Sequence, residues 1–276
     1  MQDSNLKNHR CLVRRKVAAW CAALLLLLLS TMPPTTMLAA DERDSGPLNL
    51  LITYRCASAG RPAFREYLAK NGLAQFEQWK REGVIQEYRI LFNWYVDADA
   101  WDAMAILKFH EYADVARWRA IEKNSPGGLS KEALTLATPI HTYSADAAWQ
   151  GASETGKGDS KESVFFVIPY ELLVPLPDYK TYVDGYVIPQ IKGWLKEGVL
   201  ASYHIYLNRY ATGKPWDALF VLEYKDLNAF GLRESTTAKV RAALRDNPAW
   251  KTLADGKQKI RNELETVIAD ALITNR

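Results

Sequence analysis

Cysteine is scarce in this chain: three residues in 276, two of them, Cys11 and Cys21, near the start. If the first forty residues are removed, as argued below, Cys56 alone remains, and one thiol cannot close an intramolecular disulfide. Stability must then come from buried apolar surface, which two packed units of this size can supply. Histidine is nearly as sparse. Only His110, His141 and His204 follow residue 40, and no Cys, His or carboxylate set shows the spacing of a metal site. Nor is there a nucleophile elbow or a phosphate-cradling glycine loop.

Excess charge of one sign is also missing. The formal +3 comes from the start of the chain, and beyond residue 40 about 30 basic side chains face about 31 acidic ones with no Lys/Arg cluster. Counterion release therefore cannot drive nucleic-acid binding, and that class is excluded. One long apolar run exists, Val17–Leu29, preceded by Arg10, Arg14, Arg15 and Lys16 and followed by Met37-Leu38-Ala39-Ala40. It is short for a bilayer span and has the three parts of an export signal cut near Ala40. The expectation is an exported protein, periplasmic or secreted, with no stable membrane insertion once the signal is gone.

What the chain does have is an internal repeat. Trp79, Glu82, Gly83, Tyr88, Asn93, Tyr95, Trp101 and Asp102 recur as Trp194, Glu197, Gly198, Tyr203, Asn208, Tyr210, Trp216 and Asp217, each pair 115 residues apart. Two copies of one fold are implied. In each copy a β-rich run (Leu48–Cys56; Ser163–Tyr170) precedes a helical stretch from Pro62 to Gly83, or Pro177 to Gly198, with Pro189 expected to kink or divide the second. Val84–Tyr95 then alternates as a strand with one apolar face, Trp101–Phe109 supplies another strand, and a helix follows over about Tyr112–Asn124. The last strand is the hardest to see. Propensity alone makes Glu263–Ala271 helical, but Ala145-Asp146-Ala147 recurs as Ala269-Asp270-Ala271, so the repeat predicts a strand. This triplet lies 124 apart, which places about nine extra residues near Pro248.

Each copy thus reads β-α-β-β-α-β, a ferredoxin-like unit with helices on one sheet face. The expected fold class is α+β: two tandem ferredoxin-like repeats packed sheet to sheet as a fused dimeric α/β barrel. The division is a signal over 1–40, an N-terminal linker 41–47, repeat one over 48–149, a Gly/Ser-rich linker 150–162 and repeat two over 163–276.

The tandem order, the aromatic-rich helix endings Trp79–Gly83 and Trp194–Gly198, and the polar inner strand resemble the dimeric α/β-barrel superfamily in fused form, NIPSNAP-like or antibiotic-biosynthesis-monooxygenase-like. That resemblance implies cofactor-free monooxygenases, muconolactone isomerase-like enzymes and haem-binding chlorite dismutase relatives as the range of functions.

Alternation turns Arg89, Asn93 and Tyr95 toward the second sheet, with His204, Tyr206, Asn208 and Tyr210 as their counterparts. His204 is the candidate base, because imidazole exchanges protons near neutral pH. Arg89, Asn93, Tyr95, Tyr206, Asn208 and Tyr210 are the candidate ligand-binding residues, the amides and phenols suiting a carbonyl or phenolate. The opposing readings are a histidine satisfied by neighbouring polar groups and a hydrogen-bonded girdle at the barrel rim. The leading function is an exported protein that binds a small apolar or aromatic molecule between its sheets, with cofactor-free oxygenase- or isomerase-like proton transfer by His204. A non-catalytic interaction protein with a packed interior is the alternative, and a haem-binding barrel the second. No metal is expected, and the oligomeric state is open.

Overall fold

The computed structural model describes residues 48–154 and 161–272. The expected signal over 1–40 and the linker 41–47 lie outside the described residues, as do 155–160 of the second linker. Repeat one runs β1 (Leu48–Cys56), helix α1 (61–81), β2 (Glu87–Asn93), β3 (Ala103–Phe109), α2 (Asp114–Glu122), α3 (Ala133–Leu136) and β4 (Ala137–Ala152). Repeat two runs β5 (Val164–Leu172), helix α4 (176–196), β6 (Leu200–Asn208), β7 (Ala218–Tyr224), α5 (Leu227–Gly231), α6 (Arg233–Leu244), α7 (Pro248–Gly256), β8 (Arg261–Glu263) and β9 (Val267–Leu272). Among the described residues no helix is long and apolar enough to cross a membrane.

Each repeat forms a four-stranded antiparallel sheet, ordered β4-β1-β3-β2 in the first and β9-β5-β7-β6 in the second. The two sheets join at both edges. β4 pairs with β6, with Ala145 opposite Asn208, and β9 pairs with β2, with Leu272 opposite Ile90. Eight strands therefore close into a ring, and short β8 extends the edge of β5 ahead of β9. Closure leaves no long unpaired edge, and it makes the sheets face one another across a common interior.

Strand alternation sorts the side chains as the sequence predicts. Leu50, Ile52 and Tyr54 of β1, with Ile90 and Phe92 of β2, pack under α1 in a core shared with Phe64, Phe76 and Trp118. The second repeat builds the matching core from Phe166, Ile168, Tyr179, Tyr182 and Phe220. The opposite faces contribute Leu51, Leu91, Ile106, Ala145, Phe165, Val221 and Ala269 to a third cluster inside the barrel.

The helices α1 and α4 repeat in detail. Each has two α-helical pieces, Arg61–Tyr67 and Leu73–Arg81, or Leu176–Tyr182 and Ile188–Lys196, joined by a π turn at Leu68–Gly72 or Val183–Val187. The π turns stand 115 residues apart. The predicted break at Pro189 is thus met by a π turn just before it, which loosens the backbone where proline has no N–H to give. Position 74 of the first copy is alanine, so proline is accommodated by the turn and does not cause it.

The extra residues of the second copy form α7, capped by Asn247, whose side chain accepts from the amides of Ala249 and Trp250 at 3.0 and 3.3 Å. Trp250 stacks on Tyr186 of α4 at 5.1 Å. The repeat was the better guide at the C-terminus, where β9 replaces the helix that propensity favours. β4 continues to Ala152 and takes in the first residues expected in the linker.

Candidate functional site

Because neighbouring strands alternate in direction around the ring, the β2–β3 and β6–β7 loops crown the same end of the barrel. There the interior is not filled. A cavity of about 400 Å³ is walled by Met104 and Tyr143 of the first repeat and Val167, Trp216, Leu219 and Val267 of the second. Two indoles, Trp101 and Trp216, arrive on the two crowning loops. The site belongs to neither repeat alone.

Its polar lining comes from Thr53, Arg55, Asp99, His141, Tyr143 and Glu265. Thr53, from the inward face of β1, is 3 % exposed, and its Oγ1 is buried with no hydrogen-bond partner among the described residues. A buried hydroxyl in that state is a standing donor and acceptor for whatever enters. His141 lies at the rim with its ring 5.5 Å from that of Tyr143, nearly parallel at 20°. Burial pushes the Tyr143 phenol up to about 12, with Trp216 acting in the opposite sense, so the group stays protonated at physiological pH. Tyr143 and Trp216 meet across the seam at 4.9 Å. Arg55 pins the β2–β3 loop by donating to the carbonyls of Ala98 and Ala100.

At the mouth, where Asp99 and Glu265 line the cavity, carboxylate oxygens of Asp97, Asp99 and Glu265 come within 4.8 Å of one another. The Asp99 amide holds the Asp97 carboxyl below its usual range, while hydrogen bonding to Asp97 raises Glu265. Asp97 also closes its own turn, accepting from the Asp99 amide at 2.9 Å, so the cluster has a local structural cause.

The residues named from sequence separate into two groups. Arg89, His204 and Tyr206 do point inward, but in the half of the barrel away from the mouth or beneath its floor. Arg89 lies over the Phe165 ring at 5.2 Å, and the rings of His204 and Tyr206 stack at 5.9 Å. None of the three lines the cavity. Asn93 and Asn208 shape the crowning loops in the same way in both copies. Their Nδ2 atoms donate to the carbonyls of Trp101 and Trp216 at 3.0 and 3.1 Å, and their Oδ1 atoms accept from the amides of Tyr95 and Tyr210 at 3.0 and 3.2 Å. Tyr95 and Tyr210 are exposed, at 62 % and 59 %.

Sequence reasoning missed Thr53 and His141 as site residues. The signal was present: Thr53 shares the inward face of β1 with Leu51, and His141 precedes Tyr143 and Ala145 by the same two-residue step along β4.

A haem would need an axial donor aimed into an apolar slot. His141 is exposed and stacked against Tyr143, and a second cavity of about 370 Å³, between the outer face of the second sheet and its helices, has no histidine in its lining. Neither cavity presents a buried histidine for that position.

No known protein family and no curated protein matches the sequence of this chain. Its fold does have counterparts among solved structures. A putative monooxygenase from Lactobacillus acidophilus superposes with a TM-score of 0.52 at 11 % identity, covering 82 % of this chain and 94 % of that one. An anthrone oxidase-like protein gives 0.51 at 10 % identity, covering 83 % and 91 %. A point variant of chlorite dismutase from Candidatus Nitrospira defluvii gives 0.50 at 11 % identity, covering 84 % and 95 %. At these identities the likeness is one of fold alone, a tandem ferredoxin-like α/β barrel.

Proposed function

We propose that this fused dimeric α/β barrel binds a small apolar or aromatic molecule carrying one hydrogen-bonding group, held in the open end of the barrel between the two repeats. The observation that carries the reading is the apolar inter-repeat cavity with the unpaired Thr53 hydroxyl inside it. An interior built only to be packed would leave neither. Burying a two-ring molecule there removes about 200 Å² of apolar surface from water, about 5 kcal/mol before association costs, so sub-millimolar to millimolar affinity is the range to search.

His141 is the imidazole among the ionisable side chains at this mouth, which include Asp99 and Glu265. In an isomerase- or oxygenase-like reaction the proton would pass through its imidazole, with Tyr143 as a neutral hydrogen-bond donor. His204 sits too deep for that role. The apolar run Val17–Leu29, read from sequence as an export signal, supports export, so the molecule would be met outside the cytoplasm; sequencing the mature N-terminus by mass spectrometry tests this, and an intact Met1 in the cell-bound protein would reject it.

The binding test uses N-phenyl-1-naphthylamine, a neutral dye whose fluorescence rises in apolar surroundings. Saturable 1:1 binding is expected, with energy transfer from Trp101 and Trp216. Leu219→Trp, which fills the cavity, should weaken it at least tenfold, and Thr53→Val should weaken it severalfold while leaving the circular dichroism spectrum unchanged. Equal binding by the wild type and both folded variants would remove the site from consideration.

A further inference from the structure

The internal repeat provides its own control, and at one place the two copies differ. In repeat one the space between helices and sheet is closed by Trp118, fully buried, with its ring 5.3 Å from Trp79 and 6.4 Å from Phe109. At the interval of 115 the counterparts of Trp79 and Phe109 are Trp194 and Tyr224, and that of Trp118 is Arg233. The indole is gone. Arg233 leans instead on Phe166, 4.7 Å from the ring centroid, and beside it lies the cavity of about 370 Å³.

This cavity differs in chemistry from the barrel mouth. Phe166, Tyr170, Phe220 and Tyr224 form an aromatic wall, while Arg233, Arg241, Lys257 and Arg261 line it against only two carboxylates, Glu234 and Glu263. Glu234 is held by Arg233, and Glu263 accepts from the Tyr170 hydroxyl at 3.3 Å. Arg241 donates Nε to Gln190 at 2.7 Å, which keeps its guanidinium at the edge of the pocket.

Arg261 is the least satisfied of the four. Its guanidinium carbon lies 3.8 Å from the Tyr170 ring centroid and 5.2 Å from that of Phe220, contacts that solvate the cation through ring faces. Its Nη1 is buried, its guanidinium hydrogen-bonds the buried hydroxyl of Tyr179, and the buried hydroxyl of the adjoining Tyr182 has no hydrogen-bond partner among the described residues. No carboxylate forms a salt bridge with Arg261 among the described residues. A guanidinium held by ring faces and a single phenol, with no carboxylate on it and a second phenol free beside it among the described residues, is a site that an anion would complete.

We infer that this pocket of the second repeat binds an aromatic carboxylate, its ring against Phe166, Phe220 and Tyr224 and its acid group on Arg261, with Arg233 and Arg241 at the entrance. The site is separate from the barrel mouth and does not rest on the proposal made for it.

The test uses 2-naphthoate, its neutral analogue 2-naphthylmethanol and octanoate, titrated by calorimetry into the full chain. Naphthoate should bind 1:1 and at least twentyfold more tightly than the alcohol, with octanoate weaker. Arg261→Gln should cost at least tenfold in naphthoate affinity. Arg233→Trp, which installs the residue of the first copy, should abolish binding by filling the pocket, with thermal stability held or raised. Arg233→Gln, which keeps the space open, should lose only severalfold and stands in if the tryptophan variant misfolds. Leu219→Trp, which blocks the barrel mouth, should change nothing. Equal affinity for acid and alcohol, octanoate equal to naphthoate, or full binding in folded Arg261→Gln would each overturn the assignment.

Discussion

Arg209 of the second repeat closes on Asp146 of the first, donating through Nε at 3.2 Å and Nη2 at 2.5 Å across the β4–β6 seam. Its counterpart at the interval of 115 is Trp94, which donates to Asp270 across the β2–β9 seam, where Arg65 also pairs with that carboxylate. The two repeated Ala-Asp-Ala triplets are therefore the clasps of the barrel. Asp146 is largely buried with its partner, at 23 % and 11 % side-chain exposure, so truncation strands a charge. Asp146→Ala should destabilise the chain by about 2 kcal/mol, lowering the melting temperature by about 4–8 °C. A scanning calorimetry trace within 1 °C of wild type would show that the seam does not depend on this clasp.

The second prediction concerns the helix endings. Gly83 and Gly198 adopt φ of +67° and +79°, and in each copy the next residue donates back to the tryptophan carbonyl five residues earlier, Val84 to Trp79 at 2.9 Å and Val199 to Trp194 at 3.2 Å. This is a Schellman stop built twice. A Cβ at either glycine meets no backbone, its nearest neighbours being the ends of Arg117 at 4.0 Å and Lys225 at 3.4 Å. The penalty for alanine is conformational only, about 1–2 kcal/mol at each position. Matching losses for Gly83→Ala and Gly198→Ala in urea denaturation are expected; a negligible loss at either would mean that this helix end relaxes freely.

These two cases show what kind of information the repeat held. The residues that recur most faithfully, Trp79 through Gly83, Asn93, Trp101 with Asp102, and the Ala-Asp-Ala triplets, are those that stop helices, shape loops and clasp seams. Asp102 and Asp217, for instance, accept from the amides of Cys56 and Leu172, both at 2.8 Å. Fold and topology were legible for that reason. The candidate site was less so, because function need not obey the pseudo-symmetry: Asn93 and Asn208 are kept in both copies for the loops, whereas Thr53, His141 and Arg233 have no like counterpart. Alternation correctly turned Arg89, His204 and Tyr206 inward, but depth along the barrel is a tertiary quantity that periodicity does not contain.

The buried phenols define the response to alkali. Burial, the largest cause in each case, pushes Tyr88, Tyr143, Tyr179 and Tyr206 up to about 12, and drives Tyr54, Tyr170, Tyr182 and Tyr224 in the same direction. An unfolded phenol ionises near 10. The folded state therefore holds its protons more tightly, so this contribution is complete below pH 10 and is lost as pH rises from 10 toward 12. Absorbance at 295 nm should show an early phase from exposed tyrosines and a later cooperative one that coincides with loss of ellipticity. A single smooth titration near pH 10 with the fold intact would contradict the burial of these side chains.

The two histidines that face the barrel interior separate mouth from depth. His141 borders the cavity on β4, while His204 stacks on Tyr206 on β6, at a position that pairs with Gln150 and Val221 and not with any residue of the cavity wall. With 2-naphthol, a probe that combines an apolar body with one hydroxyl, His141→Ala should weaken binding about three- to tenfold, the loss of one hydrogen-bonding partner and a stacked wall. His204→Ala should leave the affinity within twofold and act on stability instead, because it removes a packed ring beneath the floor. The reverse pattern, with His204→Ala abolishing binding in a folded protein and His141→Ala silent, would move the site into the deeper half of the barrel, where the sequence alone had put it.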